Sequence, residues 1–235
     1  MMQRVLLTMV LSASLALAGE PPVLYSSVTR SEDGIGKAYM GREIAKVMTY
    51  HGAPWLERVG RTKEERPDLV LAAFELKQGM AVADVGAGSG YYSRRMAQLV
   101  GKSGTVYAVD IQPRMLKLIE RDLARHTLAN VKTVLATAKD PNLRAGSLDL
   151  AVMVDVYHEL EFPYEAMRAL VNALKPGARL ALVEFRAGDP NVPIKRLHTM
   201  TEEQVRQEMA VHAVEWVNTV RDLPWQHVIV FRKTP

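Results

Sequence analysis

Gly86, Gly88 and Gly90 stand at alternate positions in MAVADVGAGSGYYSRRMAQ, residues 80–98, just after an apolar run that ends in Asp84. An apolar run, a glycine cluster and a resumed helical pattern read as strand, tight turn and helix. Glycine admits positive φ and has no Cβ, so the backbone there can pass close to a bound nucleotide, with the amides opening the next helix pointing outward. The dinucleotide fingerprint G-x-G-x-x-G would need its third glycine at position 91, which is Tyr91, so that fingerprint fails.

Other groups could act beside this turn. Asp110 ends the apolar stretch TVYAVDI, 20 residues past Gly90, where a carboxylate can accept both hydroxyls of a ribose; a solvated turn before Pro113 is the plainer reading. The stretch LDLAVMVDVYHEL ends with Asp155, Tyr157, His158 and Glu159 together. At the carboxyl edge of an open sheet such groups can contact substrate, or Asp155 and Glu159 can serve only as caps. His158 suits a general base because an unperturbed imidazole titrates near neutrality, with Asp155 or Glu159 to orient it; Glu184 is a second candidate. His158-Glu159 does not begin the zinc motif H-E-x-x-H, because Phe162 stands where the second histidine belongs. His51, His126, His198, His212 and His227 show no ligand spacing, so no metal is expected, and the absence of G-x-S-x-G ranks hydrolases low.

These groups need elements to position them. Strands are expected over 105–111, 131–137, 148–156 and 179–185, with helices over 113–126 and 164–175 between them. Five strands with helical crossovers imply a parallel, doubly wound sheet. After a helix at 201–214 capped by Thr201, the runs 215–221 and 226–232 are joined too tightly for anything but an antiparallel hairpin. Upstream, 20–30 reads as an extended leader, 34–50 as a helix over the cofactor cleft, and 51–59 as a turn with Trp55 as packing anchor. Thr62 to Glu65 has capping-box spacing, and Pro67 can open a helix running to about Lys77.

With 235 residues, 48% of them apolar and 24% charged, the chain suits one sizeable α/β domain. The net charge of +4 is spread along the chain and gives little support to a nucleic-acid partner. Arg4 precedes VLLTMVLSASLALA, ending in Ala16-Leu17-Ala18, which has the form of a secretory signal over 1–18. Export to a periplasm is therefore expected, with membrane contact only if the leader stays uncleaved as an inner-membrane anchor. There is no cysteine, so neither a disulfide framework nor a lipidated cysteine contributes.

VADVGAGSG, the AVD of residues 108–110, VMVDVYHEL and the closing QHVIVFRK together resemble the class I S-adenosylmethionine-dependent methyltransferases over roughly residues 69–233. GKAYMGREIAKVMTYHGAPWLER and HTMTEEQVRQEM are similar to a group of predicted bacterial methyltransferases with N-terminal signal sequences. The resemblance implies a signal at 1–18, a leader and helical cover at 19–66, and a methyltransferase domain at 67–235. It implies a doubly wound, mostly parallel seven-stranded sheet with a C-terminal antiparallel hairpin, and S-adenosyl-L-methionine as cofactor. Cofactor contacts would fall to Asp84, Gly86, Ala87, Gly88, Gly90, Asp110, Ile111 and Asp155, with Asp140 beside the adenine unless its Asp-Pro is only a turn. His158, Asp155 and Glu159 would serve methyl transfer to a small-molecule acceptor. Two alternatives stay open: a non-catalytic adenosyl- or nucleoside-binding protein on this fold, which would also suit an exported chain remote from cytosolic cofactor, and a nicotinamide oxidoreductase, against which the glycine spacing argues.

Overall fold

A computed structural model describes residues 24–126 and 128–235, so the expected leader at 1–18 lies outside the described residues. The first elements differ from expectation. In place of a helix over 34–50, strands β1 (Tyr25–Ser27), β2 (Gly34–Tyr39) and β3 (Arg42–Ala45) form an antiparallel sheet in the order β1-β2-β3. Ile44, Val47 and Met48 do have helical spacing, but glycine costs a helix about 1 kcal/mol per site. Gly41 instead serves a two-residue hairpin: Tyr39 pairs with Arg42, and Met40 and Gly41 both take positive φ, 47° and 89°.

The chain then forms a turn at Tyr50–Gly52 and three short helices, α1 (Ala53–Leu56), α2 (Arg61–Glu65) and α3 (Pro67–Ala73). Thr62 does not cap: α2 starts one residue earlier behind Gly60, with no side-chain cap, and Glu64 and Glu65 pair with Arg58 and Arg61. Pro67 opens α3 as expected, after Arg66 breaks the path at φ 49°, while Glu75 at φ 48° stops it short of Lys77. Trp55 is 46% exposed, with the Arg58 guanidinium 3.6 Å from its ring, so it anchors no core.

From here the expected rhythm holds. Strands β4 (Ala81–Val85), β5 (Thr105–Asp110), β6 (Val131–Leu135), β7 (Leu148–Val154) and β8 (Leu174–Arg186) alternate with helices α4 (Tyr91–Val100), α5 (Pro113–His126) and α6 (Pro163–Ala173). A two-residue strand β9 (Thr199–Met200) adds to β8, and α7 (Glu202–Met209) follows, shorter than the expected 201–214. Thr201 does cap α7, its Oγ1 accepting from the Gln204 amide at 3.0 Å. β10 (Val214–Val220) and β11 (Gln226–Lys233) close the sheet as an antiparallel hairpin.

The main sheet runs β10-β11-β8-β7-β4-β5-β6, with β6 through β8 mutually parallel and β11 antiparallel to both its neighbours. Alternate strand residues supply two apolar faces. Val82, Val152 and Val183 pack with Val70, Met96 and Ile119 of α3, α4 and α5, while Ala83, Met153 and Leu182 pack with Leu170 and Val205 of α6 and α7. The chain winds outward from β4 to β6 and returns to β7 on the other side of β4. That reversal opens a crevice at the carboxyl ends of β4 and β7.

The small sheet is fastened over this edge by Arg42. Its Nε and Nη2 donate to the two carboxylate oxygens of the fully buried Glu208 at 2.8 and 2.9 Å, and Nη1 donates to the His158 carbonyl at 3.1 Å. Removing one member of a buried pair leaves the other desolvated without compensation, at a cost of about 3–5 kcal/mol. We expect Arg42→Met to lower stability in urea unfolding by about that amount, and addition of Glu208→Leu to restore most of it; an equal or larger loss in the double variant would show that packing, and not charge pairing, fastens the sheet.

Candidate functional site

A cavity of about 580 Å³ occupies the crevice, within the size range of small-molecule sites. Gly86, Gly88, Asp110 and Asp155 line it from the sheet side, and Lys46, Val47 and Met48, just after β3, line it from the cover. The segment placed over the cleft by the sequence is therefore there, as strand and loop in place of a helix. Gln112 clamps it, its Nε2 donating to the Met48 carbonyl at 3.0 Å and its Oε1 accepting from the Tyr50 amide at 2.8 Å.

The glycine turn owes its shape to sterics and to hydrogen bonds with β5. Gly86, Gly88 and Gly90 have φ of 74°, 56° and 82°. A Cβ on Gly86 would lie 2.5 Å from Val156, and one on Gly88 2.6 Å from Leu56. The amides of Gly86 and Ala87 both donate to the Val109 carbonyl at 2.8 and 2.9 Å, Gly88 donates to Asp110 Oδ2 at 2.9 Å, and Gly90 donates to the Ala87 carbonyl. With those amides engaged inside the protein, the turn presents no row of free N–H groups for a pyrophosphate.

Asp110 is 5% exposed and lines the cavity; its Oδ1 accepts from the Gln112 amide at 2.8 Å. Burial raises its pKa, against the lowering effect of the Gln112 and Gly88 amides. Each carboxylate oxygen has a further lone pair, so the group can still accept a sugar hydroxyl at each. That donor set fits an adenosyl ligand: a carboxylate at the end of β5 for the ribose, a close-approach turn beside it, and no phosphate cradle.

The remaining expected positions divide. Ile111, His158 and Glu159 also line the cavity. Asp84, Ala87, Gly90 and Asp140 do not. Asp84 is turned beneath the loop, accepting from Ser93 Oγ at 2.6 Å, and burial lifts its pKa to about 6. Ala87 and Gly90 shape the turn without reaching the cavity. Asp140 is exposed and closes its own turn, accepting from the Asn142 amide at 2.7 Å, so the plain-turn reading describes it; its neighbours Thr137, Ala138 and Pro141 line the cavity instead.

At the end of β7 the carboxyl groups have separate partners. Asp155, with φ 56°, accepts from Gln226 Nε2 at both oxygens (2.9 and 2.7 Å). Burial first, then the charges of Glu65 and Glu184, hold its pKa well above the usual carboxylate range. The group that orients His158 is Glu184 on β8, whose Oε2 lies 2.5 Å from Nδ1 and whose Oε1 accepts from the Tyr157 amide at 3.0 Å. Burial alone would lower the His158 pKa; the Glu184 charge and hydrogen bond, with Glu159, outweigh it and the net shift is upward. On its other side Nε2 lies 3.2 Å from Nδ1 of His198. His198 had no spacing to announce it, 40 residues away in the loop after β8. Its placement after the carboxyl end of a parallel strand was the one available signal, since such loops converge on the crevice. Gln226, Arg61 and Glu65 were likewise invisible as site residues, because only the folded sheet brings them to Asp155.

Residues 83–182 match the family model described as a methyltransferase domain. The chain is 31% identical over 117 residues to the ubiquinone/menaquinone biosynthesis C-methyltransferase UbiE of Ectopseudomonas mendocina, spanning 49% of this chain and 46% of that one. It is 43% identical over 61 residues to the protein-L-isoaspartate O-methyltransferase of Methanothrix thermoacetophila, covering 26% of this chain and 29% of that one. The chain thus matches less than half the length of these curated relatives. Among solved structures, an S-adenosylmethionine-dependent methyltransferase from Aquifex aeolicus superposes with a TM-score of 0.76 at 24% identity, over 80% of this chain and 100% of that one. The [4+2]-cyclase SpnF superposes with a TM-score of 0.61 at 16% identity, over 71% and 80%. The class I methyltransferase fold is therefore present, with a methyltransferase domain matched over residues 83–182.

Asp84 yields a stability test. Its folded pKa of about 6 lies above the ordinary aspartate value of 3.8, so between those values the folded state holds a proton that the unfolded state has lost. This group's stabilising contribution is full below about pH 4 and declines as pH rises toward 6. In urea unfolding, wild type relative to Asp84→Asn should lose roughly 3 kcal/mol between pH 4 and pH 7; parallel profiles would contradict the assignment.

Proposed function

We propose that this chain, whose residues 83–182 carry a methyltransferase domain, transfers the methyl group of S-adenosyl-L-methionine to a small-molecule acceptor. The observation carrying this reading is one continuous cavity that reaches from the glycine turn and Asp110 to the His158–Glu184 pair. Asp110 would accept the ribose hydroxyls, and Thr137, Ala138 and Pro141 would border the base. The cofactor, when bound, supplies an electrophilic methyl on sulfonium sulfur, to which the C–S electron pair returns as the acceptor's lone pair forms the new bond. Alignment of the two partners supplies most of the acceleration in such a displacement.

Where the acceptor is protonated, His158 Nε2 takes its proton, since Glu184 fixes Nδ1 as the protonated nitrogen. The likeness to UbiE makes quinol precursors one acceptor class to assay, and the isoaspartate relative makes carboxylates another. Export under the 1–18 leader belongs to the same proposal; cell fractionation locating the chain in the cytosol would remove that part alone.

The pH dependence follows from the His158 shift. A raised pKa moves the release of the imidazole's second proton to higher pH, so turnover rises with pH as the base is freed. In chelator-treated protein with radiolabelled cofactor, Glu184→Gln should move the rising limb to lower pH and reduce the maximal rate by about 10- to 100-fold. Methyl transfer with an unchanged pH profile in that variant would sink the base assignment. Cofactor binding with no transfer to any acceptor class would return the chain to the non-catalytic alternative.

A further inference from the structure

His158 and His198 meet Glu159 at one point on the cavity wall. His158 Nε2 lies 3.2 Å from His198 Nδ1; Glu159 Oε1 lies 3.3 Å from His198 Nδ1 and 3.9 Å from His158 Nε2. Ligands bound tetrahedrally at about 2.0–2.1 Å from an ion stand about 3.4 Å from one another, which is the spacing of this triangle. All three side chains line the cavity.

Proton accounting distinguishes this cluster from an ordinary hydrogen-bond network. The Nδ1 proton of His158 is committed to Glu184, leaving a lone pair on Nε2 in the neutral ring. The Glu159 carboxylate offers only lone pairs. His198 Nδ1 can bring one proton for two acceptors, and in its other tautomer brings none. Three electron pairs therefore converge with at most one proton among the neutral imidazoles. The groups behind them are arranged to orient ligands: fully buried Glu184 on the far nitrogen of His158, and the Met48 amide 3.2 Å from both oxygens of Glu159. A carboxylate behind a histidine is the usual support of a metal-bound imidazole.

We propose that His158, Glu159 and His198 bind one divalent first-row transition ion such as zinc, with its remaining coordination position open to the cavity. Two imidazoles and one carboxylate suit zinc, iron(II) or cobalt(II) better than magnesium or calcium, which prefer all-oxygen sites. The ion's use rests on the methyl-transfer reading, whereas its binding does not. A hydroxyl or thiol of the acceptor entering the open position would release its proton to solvent and present an anionic oxygen or sulfur to the methyl carbon. Nε2 of His158 would then be a ligand, and the proton-accepting role assigned to it would apply only to the metal-free protein.

The test is titration of the untagged, chelator-stripped chain with cobalt(II), read by visible absorption, and with zinc, read by elemental analysis after dialysis. The expected result is one ion per chain, with cobalt bands of four- or five-coordinate intensity. His198→Ala and Glu159→Gln should each abolish stoichiometric binding with an unchanged far-ultraviolet circular dichroism spectrum; the partly exposed His198 is the change least able to disturb folding. Glu184→Gln should retain the site with affinity weakened about 10- to 100-fold, as for a group that positions a ligand. Substoichiometric zinc in the wild type, or stoichiometric binding that survives both ligand variants, overturns the proposal. Metal bound without methyl transfer to any acceptor would remove the methyl-transfer reading and leave the site; transfer by a chain that binds no metal would do the reverse.

Discussion

The structure depends on how β4 is tied to β5 at the point where the chain turns toward its ligand. Two successive amides, Gly86 and Ala87, converge on the Val109 carbonyl, and the third, Gly88, reaches the carboxylate of Asp110. Only backbone with positive φ and no Cβ can make that turn against Val156 and Leu56. The same contacts fix the floor of the cavity, hold Asp110 at its rim and consume the amides that a dinucleotide would require. Ligand preference and loop architecture thus follow from one set of hydrogen bonds.

A second constraint is charge burial along the carboxyl edge. Asp84, Asp155, Glu184, Glu208 and Glu65 all lie in or behind the site wall, and each is matched: to Ser93, Gln226, His158, Arg42 and Arg61 respectively. Buried carboxylates are tolerated only with such partners. Their pairing recruits elements far apart in sequence, with Arg42 bringing the small sheet and Gln226 the closing hairpin. The cover and the hairpin are therefore parts of the site as well as of the fold.

The alternation of apolar strands with amphipathic helices made the main sheet readable, because both periodicities are local and strong; β5, α5 and the hairpin show this. The glycine turn and Asp110 were readable for the same reason, as was the Thr201 cap. The N-terminal sheet was not, because Ile44, Val47 and Met48 satisfy a helical period and the decisive residues are the turn pair Met40-Gly41. Asp140 kept two readings because an acidic side chain at a strand end can satisfy a neighbouring amide as readily as a ligand, and here it accepts from Asn142. Asp155 was read at the edge as a partner for His158 where the structure gives it Gln226, and Glu184, suggested as a base, pairs with His158 Nδ1. His198 lay beyond any spacing rule, since its relation to His158 exists only after β7 and β8 pair.

The central claim is that the turn and Asp110 make an adenosyl site and no dinucleotide site. Calorimetric titration of the chain with S-adenosylmethionine, S-adenosylhomocysteine and NAD, beside an Asp110→Ala variant, tests it most directly. The account predicts binding of both adenosyl ligands, no binding of NAD, and a loss of about 10- to 100-fold in the variant, the worth of hydrogen bonds to a charged group. A folded protein that binds neither adenosyl ligand, or that binds NAD in preference, would contradict it.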